Sequence, residues 1–355
     1  MRNSNLPAYI QVYQQLRGNI VKGIYPFGTK LPSKRTLCTD FGLSVITIEH
    51  AISLLCEEGY TETKERSGCY VIFKQDDFQA VLPPVRNLKQ NPQQIPKEDR
   101  FHFSSLAKTM RKVILDYGER LLEKSPNKGC PELREAISTY LARSRGMMVK
   151  PDQIIIGSGA EYLYGLIAQL IGKGSSIAIE NPSYDQIEKV YRSFGLPCEK
   201  LTLNPDGIDS RELSQCKANI LHTTPFHSYP SGISIGSSKK YEYLRWAEKE
   251  NRIIVEDNYD SELTVSSKAE DSLFSMSKDE NVIYLNTFSR TIAPSIRVGY
   301  MVLPEKLMKA YDVKLGFYSC TVPVYDQYVI AELLLSGSYE RHINRVRRAR
   351  RKATL

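Results

Sequence analysis

The sequence of 355 residues predicts a multidomain protein, in which a small α+β unit precedes a larger α/β unit with a mostly parallel sheet. One change in composition separates the two, because residues 74–100 are rich in Pro, Gln, Asn and charge and lack a sustained apolar period. Apolar residues recur at helical spacing before this stretch, whereas strands of Val, Ile and Leu alternate with helical patterns after it. We therefore assign a first domain, a linker, a large domain and a final segment to residues 1–74, 75–104, 105–310 and 311–355.

The composition argues against several classes of protein. The seven cysteines are scattered without a CxxC pair, so neither a metal site nor a disulfide framework is predicted. Residues 1–20 carry no apolar signal-peptide core, and no window approaches the roughly 20 apolar residues of a membrane span. The first 75 residues hold nine basic and six acidic residues, a weak excess that fits nucleic acid but is more often an ordinary solvated surface. We expect a cytoplasmic protein that binds neither metal nor membrane.

Helix and turn signals organise the first domain. Helical spacing of apolar residues predicts a first helix, which breaks at the glycines and proline of GIYPFGTKLPSK. Ser33 is placed to cap a short helix over residues 34–41, and Ser44, after the glycine turn FGLS, to cap a third helix that runs to about Glu58. Two short strands, in YTETKE and CYVIF, follow and are joined by RSG. Two short helices around a glycine-containing turn, followed by a hairpin, are typical of a winged helix-turn-helix.

In a winged helix-turn-helix, the second helix of the pair lies in the major groove of DNA. We therefore predict that side chains at the start of the third helix face the bases, and that basic side chains on the second helix and the hairpin reach phosphates. The alternative is a small helical domain with an ordinary basic surface. The candidate contacts are Lys34, Arg35, Ser44, Val45, Thr47, His50, Lys64 and Arg66.

Residues 7–71 resemble the GntR-type winged-helix domain along its whole length. The resemblance is carried by the run G-x-Y-x-x-G-x-K-L-P-S-x-R, the S-x-x-T that opens the third helix, EGY and SGCYV. One departure is Val45, because the family usually carries a basic or polar residue there, and valine offers only apolar contact, for instance with a thymine methyl group. The DNA contacts that the resemblance implies are Arg35, Ser44, Thr47, Arg66 and Gly68.

In the second domain, candidate ligand-binding residues follow the strands. IIIGSGAEYLYG reads as strand, small-residue turn and helix, and the free N–H groups near Ser158, Gly159 and Ala160 could bind a phosphate. Each candidate taken singly is more often an ordinary loop residue. Ligands of α/β sheets lie at the carboxyl ends of strands, so five such positions in order predict one binding site. The residues after the other strands are Tyr184, His227, Ser228, Asp257, Tyr259, Ser289, Arg290 and Arg297.

These residues occur in the same order as in the fold-type I aminotransferase domain of the MocR/GabR-like regulators, which this part of the sequence resembles. In those regulators the domain is fused to a GntR-type DNA-binding domain. The resemblance covers essentially the whole chain. It implies a site for pyridoxal 5′-phosphate and a homodimer, because sites of this fold are built across a dimer interface. In this site Gly159, Ala160, Ser289 and Arg297 would bind the phosphate, Tyr184 would stack on the ring, Asp257 would pair with the ring nitrogen, and Tyr259 would bind the ring hydroxyl.

Three features depart from the family pattern. Arg290 stands where the motif S-K-T-x-A-P-x-x-R-x-G-Y carries the Schiff-base lysine. A guanidinium has a pKa above about 12 and neither deprotonates nor attacks an aldehyde, so we expect no catalytic residue and only non-covalent cofactor binding. The last residues resemble the helix that leads into the small C-terminal domain of the family, and we expect that domain to be largely missing. We expect the basic run 341–352 to be a solvated helix face. Residues 100–112 resemble the segment with which the chain of this family enters the aminotransferase-like domain, but the segment is shorter here.

The hypothesis is a sequence-specific DNA-binding transcription regulator, cytoplasmic and associated with the nucleoid when bound to DNA. Its aminotransferase-like domain would dimerise and would sense pyridoxal phosphate or an amino compound without catalysing transamination. One alternative is a residual pyridoxal-dependent enzyme that uses His227 or Lys278 as its base. Another is a decayed regulator that binds no ligand.

Overall fold

The computed structural model describes residues 7–64, 67–74, 99–264, 271–278 and 280–354. The chain divides into two compact units, Met1–Asn91 and Pro92–Leu355. Within the described ranges, no single helix is long and apolar enough to cross a membrane. A bent pair of helices, 34–41 and 45–57, meets the requirement only when the two are taken together across a 112° bend.

The first unit is a winged helix-turn-helix, as predicted. Its elements are α1 (Ala8–Val21), α2 (Lys34–Phe41), α3 (Val45–Glu57), β1 (Thr61–Lys64) and β2 (Gly68–Val71), and the two strands pair antiparallel. Both predicted helix caps are confirmed. The Ser33 hydroxyl accepts the N–H of Thr36 at 3.1 Å, and the Ser44 hydroxyl accepts the N–H of Thr47 at 3.3 Å.

One small apolar core holds the three helices and the hairpin of the first unit together. Leu16 of α1, Leu37 of α2 and Leu55 of α3 are almost fully buried in it, together with Val71 of β2. On α3, the buried positions Ile48, Ala51, Ile52 and Leu55 recur at helical spacing, which leaves the opposite face of that helix to solvent.

The second unit is an α/β fold around an eight-stranded sheet. Its strands are β3 (Ile154–Gly157), β4 (Ile177–Asn181), β5 (Cys198–Asn204), β6 (Gly207–Ile208), β7 (Ile220–Thr223), β8 (Ile253–Asp257), β9 (Val282–Thr287) and β10 (Gly299–Val302). Its helices are α4 (Phe103–Tyr117), α5 (Pro131–Arg145), α6 (Ala160–Ile171), α7 (Asp185–Ser193), α8 (Ser210–Gln215), α9 (Ser237–Lys249), α10 (Leu273–Met276), α11 (Glu305–Leu315), α12 (Val324–Leu335) and α13 (Ser338–Thr354).

The direction of the strands creates the site. The order is β3-β10-β9-β8-β7-β4-β5-β6, and every strand except β10 and β6 runs the same way. The carboxyl ends of β3, β4, β7, β8 and β9 therefore meet at one edge, where the antiparallel β10 begins. The central strands are buried on both faces, as their continuous apolar sequences predict.

The last helix has one buried face and one solvated face, and no Lys or Arg of residues 341–352 is buried. Tyr339, Ile343 and Val346 of α13 are buried in the core that also contains α5 and α12. His342 is buried as well, and its Nε2 donates to the carbonyl oxygen of Thr291 at 2.7 Å. The basic side chains of the run therefore surround an apolar seam.

Candidate functional sites

The start of α3 presents polar and apolar side chains to solvent. Ser44 and Thr47 form the cap, and their hydroxyl oxygens lie 2.8 Å apart. Val45 and Ile46 follow the cap directly, and 48% and 78% of their surfaces are exposed. The fold of this unit therefore leaves exposed the predicted contact Val45 and also Ile46, which the sequence did not single out.

Two of the predicted DNA contacts also have partners inside the first unit. Lys34 Nζ lies 2.7 Å from Glu49 Oε1, and about half of each side chain is exposed. The His50 ring stacks on Tyr9 of α1, with centroids 4.3 Å apart. Arg35 is exposed in the first turn of α2, where a guanidinium can reach a phosphate.

The hairpin holds the remaining predicted contacts. Lys64 Nζ lies 5.2 Å from the centroid of the Tyr70 ring. Gly68 has φ +122°, a conformation that favours glycine, and the Lys30 side chain packs so close that a Cβ at this position would lie 2.5 Å from it. The φ angle thus gives the identity of Gly68 a structural cause, whereas the flexible Lys30 side chain could move. Arg66 lies outside the described residues.

In the second unit, the predicted ring-binding carboxylate Asp257 is buried at the end of β8. Its Oδ2 accepts a short hydrogen bond from the Tyr164 hydroxyl, and its Oδ1 accepts the N–H of Tyr259 at 3.1 Å. His222 Nε2 lies 3.7 Å from Oδ2 and has no hydrogen-bond partner among the described residues, while Nδ1 bonds the Tyr191 hydroxyl at 2.8 Å. Burial first, and then the neighbouring Asp257, raise the pKa of Tyr164 well above its usual value.

Three of the predicted phosphate-binding residues, Gly159, Ala160 and Arg297, meet at the start of α6. Gly159 has φ +98°, and a Cβ there would lie 2.6 Å from the Arg297 guanidinium, so Arg297 rests against the helix N-terminus. Arg297 pairs with Glu161 Oε2 at 2.7 Å, and the Tyr184 hydroxyl lies 3.3 Å from the other Glu161 oxygen. The Ser289 hydroxyl donates to the carbonyl of Ile296 at 2.6 Å. Glu161 is a member of this cluster that the sequence analysis missed.

Arg290 lies in a network of ion pairs at the end of β9. Its Nε is 3.3 Å from Asp260 Oδ1 and its terminal nitrogen is 3.8 Å from Asp99 Oδ2. Arg350 of α13 pairs with the same Asp99 oxygen at 2.8 Å, and His227 Nδ1 lies 3.0 Å from Asp260 Oδ2. Both carboxylates are buried, so each needs the cations that surround it.

The remaining predicted residues lie at opposite ends of the parallel strands. The Tyr259 hydroxyl donates to the His227 carbonyl at 2.8 Å, and burial, with Asp260 and Asp257 nearby, raises the pKa of Tyr259 to about 12. Lys278, considered above as a base, is exposed between α10 and β9. It therefore lies at the amino end of β9, on the edge opposite the site.

Comparison with known proteins identifies the family to which each unit is similar. Residues 8–71 match the family described as bacterial regulatory proteins, gntR family, and residues 87–351 match aminotransferase class I and II. The uncharacterized HTH-type transcriptional regulator YdeL of Bacillus subtilis is 31% identical over 362 residues, which cover 99% of this chain and 78% of that protein. The HTH-type pyridoxine biosynthesis transcriptional regulator PdxR of Corynebacterium glutamicum is 28% identical over 349 residues, covering 95% and 75%.

Solved structures resemble the second unit. The kynurenine aminotransferase of Pyrococcus horikoshii has a TM-score of 0.64 at 25% identity, covering 70% of this chain and 64% of that one. An archaeal alanine:glyoxylate aminotransferase has a TM-score of 0.63 at 21% identity, covering 68% and 62%. The chain thus spans less than two thirds of these aminotransferases. It belongs to the family of HTH-type transcriptional regulators in which a gntR-family domain is fused to an aminotransferase class I and II domain.

Proposed function

We propose that this protein is a sequence-specific DNA-binding transcription regulator whose aminotransferase-like domain binds a small effector without transaminase chemistry. The absence of transaminase chemistry is inferred from Arg290, whose guanidinium is charged and paired with carboxylates. At the position where the family motif has its lysine, the chain has a guanidinium paired with Asp260 and Asp99. Such a group remains charged and cannot form an imine or accept a proton from a substrate.

The residues at the sheet edge fit pyridoxal 5′-phosphate held without a covalent bond. Arg297 and the N–H group of Ala160 suit its phosphate, because the absence of a Cβ at Gly159 lets the Arg297 guanidinium approach the start of α6. The Gly159 N–H, in contrast, donates to the carbonyl oxygen of Gly157 at 2.9 Å. The buried carboxylate of Asp257 suits a protonated ring nitrogen, and Tyr184 is exposed enough to cover a ring. When bound, the group supplies an electron-withdrawing ring, but position 290, where the family motif has its lysine, carries a guanidinium.

We further propose that the regulator is a homodimer that acts in the cytoplasm, on double-stranded DNA. Support for the dimer comes from Phe103, Leu115 and Leu122 of the second unit, each of which is at least 80% exposed. All three lie between residues 103 and 122, where a second chain could cover their hydrocarbon. Sedimentation of the full chain tests this point, and a monomer at micromolar concentration would contradict it.

The experiment for the proposed function measures two kinds of binding by the full chain. Fluorescence anisotropy should detect binding to DNA from upstream of its own gene, with and without pyridoxal phosphate. Mass spectrometry after borohydride treatment should find no cofactor attached to any lysine. Absence of DNA binding would contradict the regulator, and a fixed cofactor in the wild type would contradict the non-covalent site.

A further inference from the structure

The outer face of α3 has an unusual chemistry for a helix that enters a DNA groove. The helix contains no lysine or arginine between Ser44 and Glu58, and these are the residues that most often read guanine. Instead Val45 and Ile46 stand exposed in its first turn, and Ile46 is the most exposed large apolar side chain described in the first unit. The single charged side chain in the first two turns, Glu49, is paired with Lys34.

Burial does not explain these two hydrocarbon side chains. The core-facing positions of α3 are Ile48, Ala51, Ile52 and Leu55, so Val45 and Ile46 are not part of that core. Position 45 follows the Ser44 cap directly, at the end of the helix that comes nearest to base edges in a helix-turn-helix. An apolar contact in the major groove has one specific partner, the C5-methyl group of thymine.

Basic side chains on the neighbouring elements of the first unit favour DNA as the partner of this helix. A cleft of about 520 Å³ between α3 and the hairpin is lined by Lys30, Lys34 and Glu49. Arg35 is exposed at the start of α2, and Lys64 lies on the hairpin. Cations on the elements next to an apolar helix start suit a polyanion whose groove displays methyl groups, because the cations bind phosphates while the hydrocarbon excludes water from the methyl groups.

We propose that Val45 and Ile46 are specificity-determining residues that read thymine methyl groups in the operator. The inference deepens the proposed function and rests on it. Removing one methyl group from a buried contact costs about 0.8 kcal/mol, so each contacted thymine that is replaced with uracil should weaken binding about fourfold. Uracil keeps every hydrogen-bonding group of thymine, and the substitution therefore isolates the methyl group.

The test begins with selection from a randomised duplex library by the full-length protein. The selected duplex is then remade with uracil at one thymine at a time, and its affinity for each protein is measured by anisotropy. We expect wild type to lose about fourfold at one or two thymines of each half-site. The variants Val45→Ala and Ile46→Ala should bind the thymine and uracil duplexes with nearly equal affinity at the thymine that each side chain contacts.

Val21→Ala is the matched control, because Val21 is also partly exposed, at 39%, but lies at the end of α1. It should keep the full thymine preference, and circular dichroism of all three variants should match wild type. Enrichment of a sequence whose affinity is unchanged by uracil would overturn this inference and leave the regulator intact. Failure to enrich any sequence would overturn the proposed function itself.

Discussion

Replacing Arg290 with lysine tests whether residue 290 alone prevents this site from forming a covalent bond to pyridoxal phosphate. The side chain lies at the end of β9, 3.3 Å from Asp260 and 3.8 Å from Asp99. The substitution keeps the positive charge and supplies an amine that attacks an aldehyde once it is deprotonated. We expect Arg290→Lys to acquire a borohydride-stable adduct at residue 290, whereas wild type acquires none.

The two carboxylates set the pH at which the adduct forms. A lysine with an ordinary pKa of about 10.4 is neutral in roughly one molecule in a thousand at pH 7.4. Carboxylates at the distances of Asp260 and Asp99 favour the ammonium form and lower that fraction further. The yield of adduct from Arg290→Lys should therefore rise with pH. The double variant Arg290→Lys/Asp260→Asn should reach the same yield at a lower pH.

The cost in stability should be small. Lysine keeps a positive charge beside the buried carboxylates of Asp260 and Asp99, which also retain His227 and Arg350 as neighbours. Arg290→Lys should therefore cost about 1 kcal/mol, as an ordinary point substitution does. Loss of folding would mean that the guanidinium itself holds the network of Asp99, Asp260 and Arg350 together.

The assay is peptide mass spectrometry after incubation with pyridoxal phosphate and borohydride. Arg192→Lys is the control, because Arg192 also pairs with a carboxylate, that of Glu188 at 2.8 Å, but lies on α7 beside the amino end of β5, at the opposite end of the sheet from the site. It should give no adduct at residue 192. An adduct in the wild type would refute the reasoning. So would an Arg290→Lys variant that folds and binds the cofactor reversibly yet stays unmodified at about pH 9, where lysine amines begin to deprotonate.

Three further outcomes can be measured on the same protein. Arg35→Ala should weaken binding to specific and shuffled duplexes alike and reduce the slope of log affinity against log salt by about 0.9, whereas an unchanged slope would exclude a phosphate contact. Ser44→Ala should cost about 1 kcal/mol through loss of the helix cap. Circular dichroism should show this, while the fluorescence transition of Trp246, which lies in the second unit, should stay in place. Burial lowers the pKa of His342 to about 4, so its contribution to stability is complete above about pH 6.5 and is lost as the pH falls towards 4. The melting temperature reported by Trp246 should fall over that interval, and an equal fall in His342→Gln would contradict the assignment.

Features encoded by neighbouring residues could be predicted from the sequence. Ser33 and Ser44 cap their helices because a hydroxyl three residues before an N–H is a local arrangement. The position of Asp257 at the same end of the sheet as the residues that follow β3 and β9 could also be predicted, since parallel strands align their carboxyl ends. Strand β5 was missed, because Glu199, Lys200 and Thr202 interrupt its apolar pattern near the end of the sheet.

The partners of the charged residues could not be predicted. Asp99 and Arg350 are 251 positions apart, and no periodicity connects them. Glu161 reads as an ordinary first-turn acid of a helix, although it pairs with Arg297 across the site. Tyr164 shows only as one residue of an apolar helix, yet it donates to Asp257. Each of these contacts depends on how helices pack against the sheet, which a single sequence does not specify.

The most direct test of the central claim is the specificity of DNA binding by the full-length protein. The affinity for a duplex selected from a randomised library is compared with that for the same bases in shuffled order, at physiological salt. A sequence-specific regulator should bind the selected duplex at least about a thousandfold more tightly than the shuffled one. Equal affinity for the two duplexes would contradict the account.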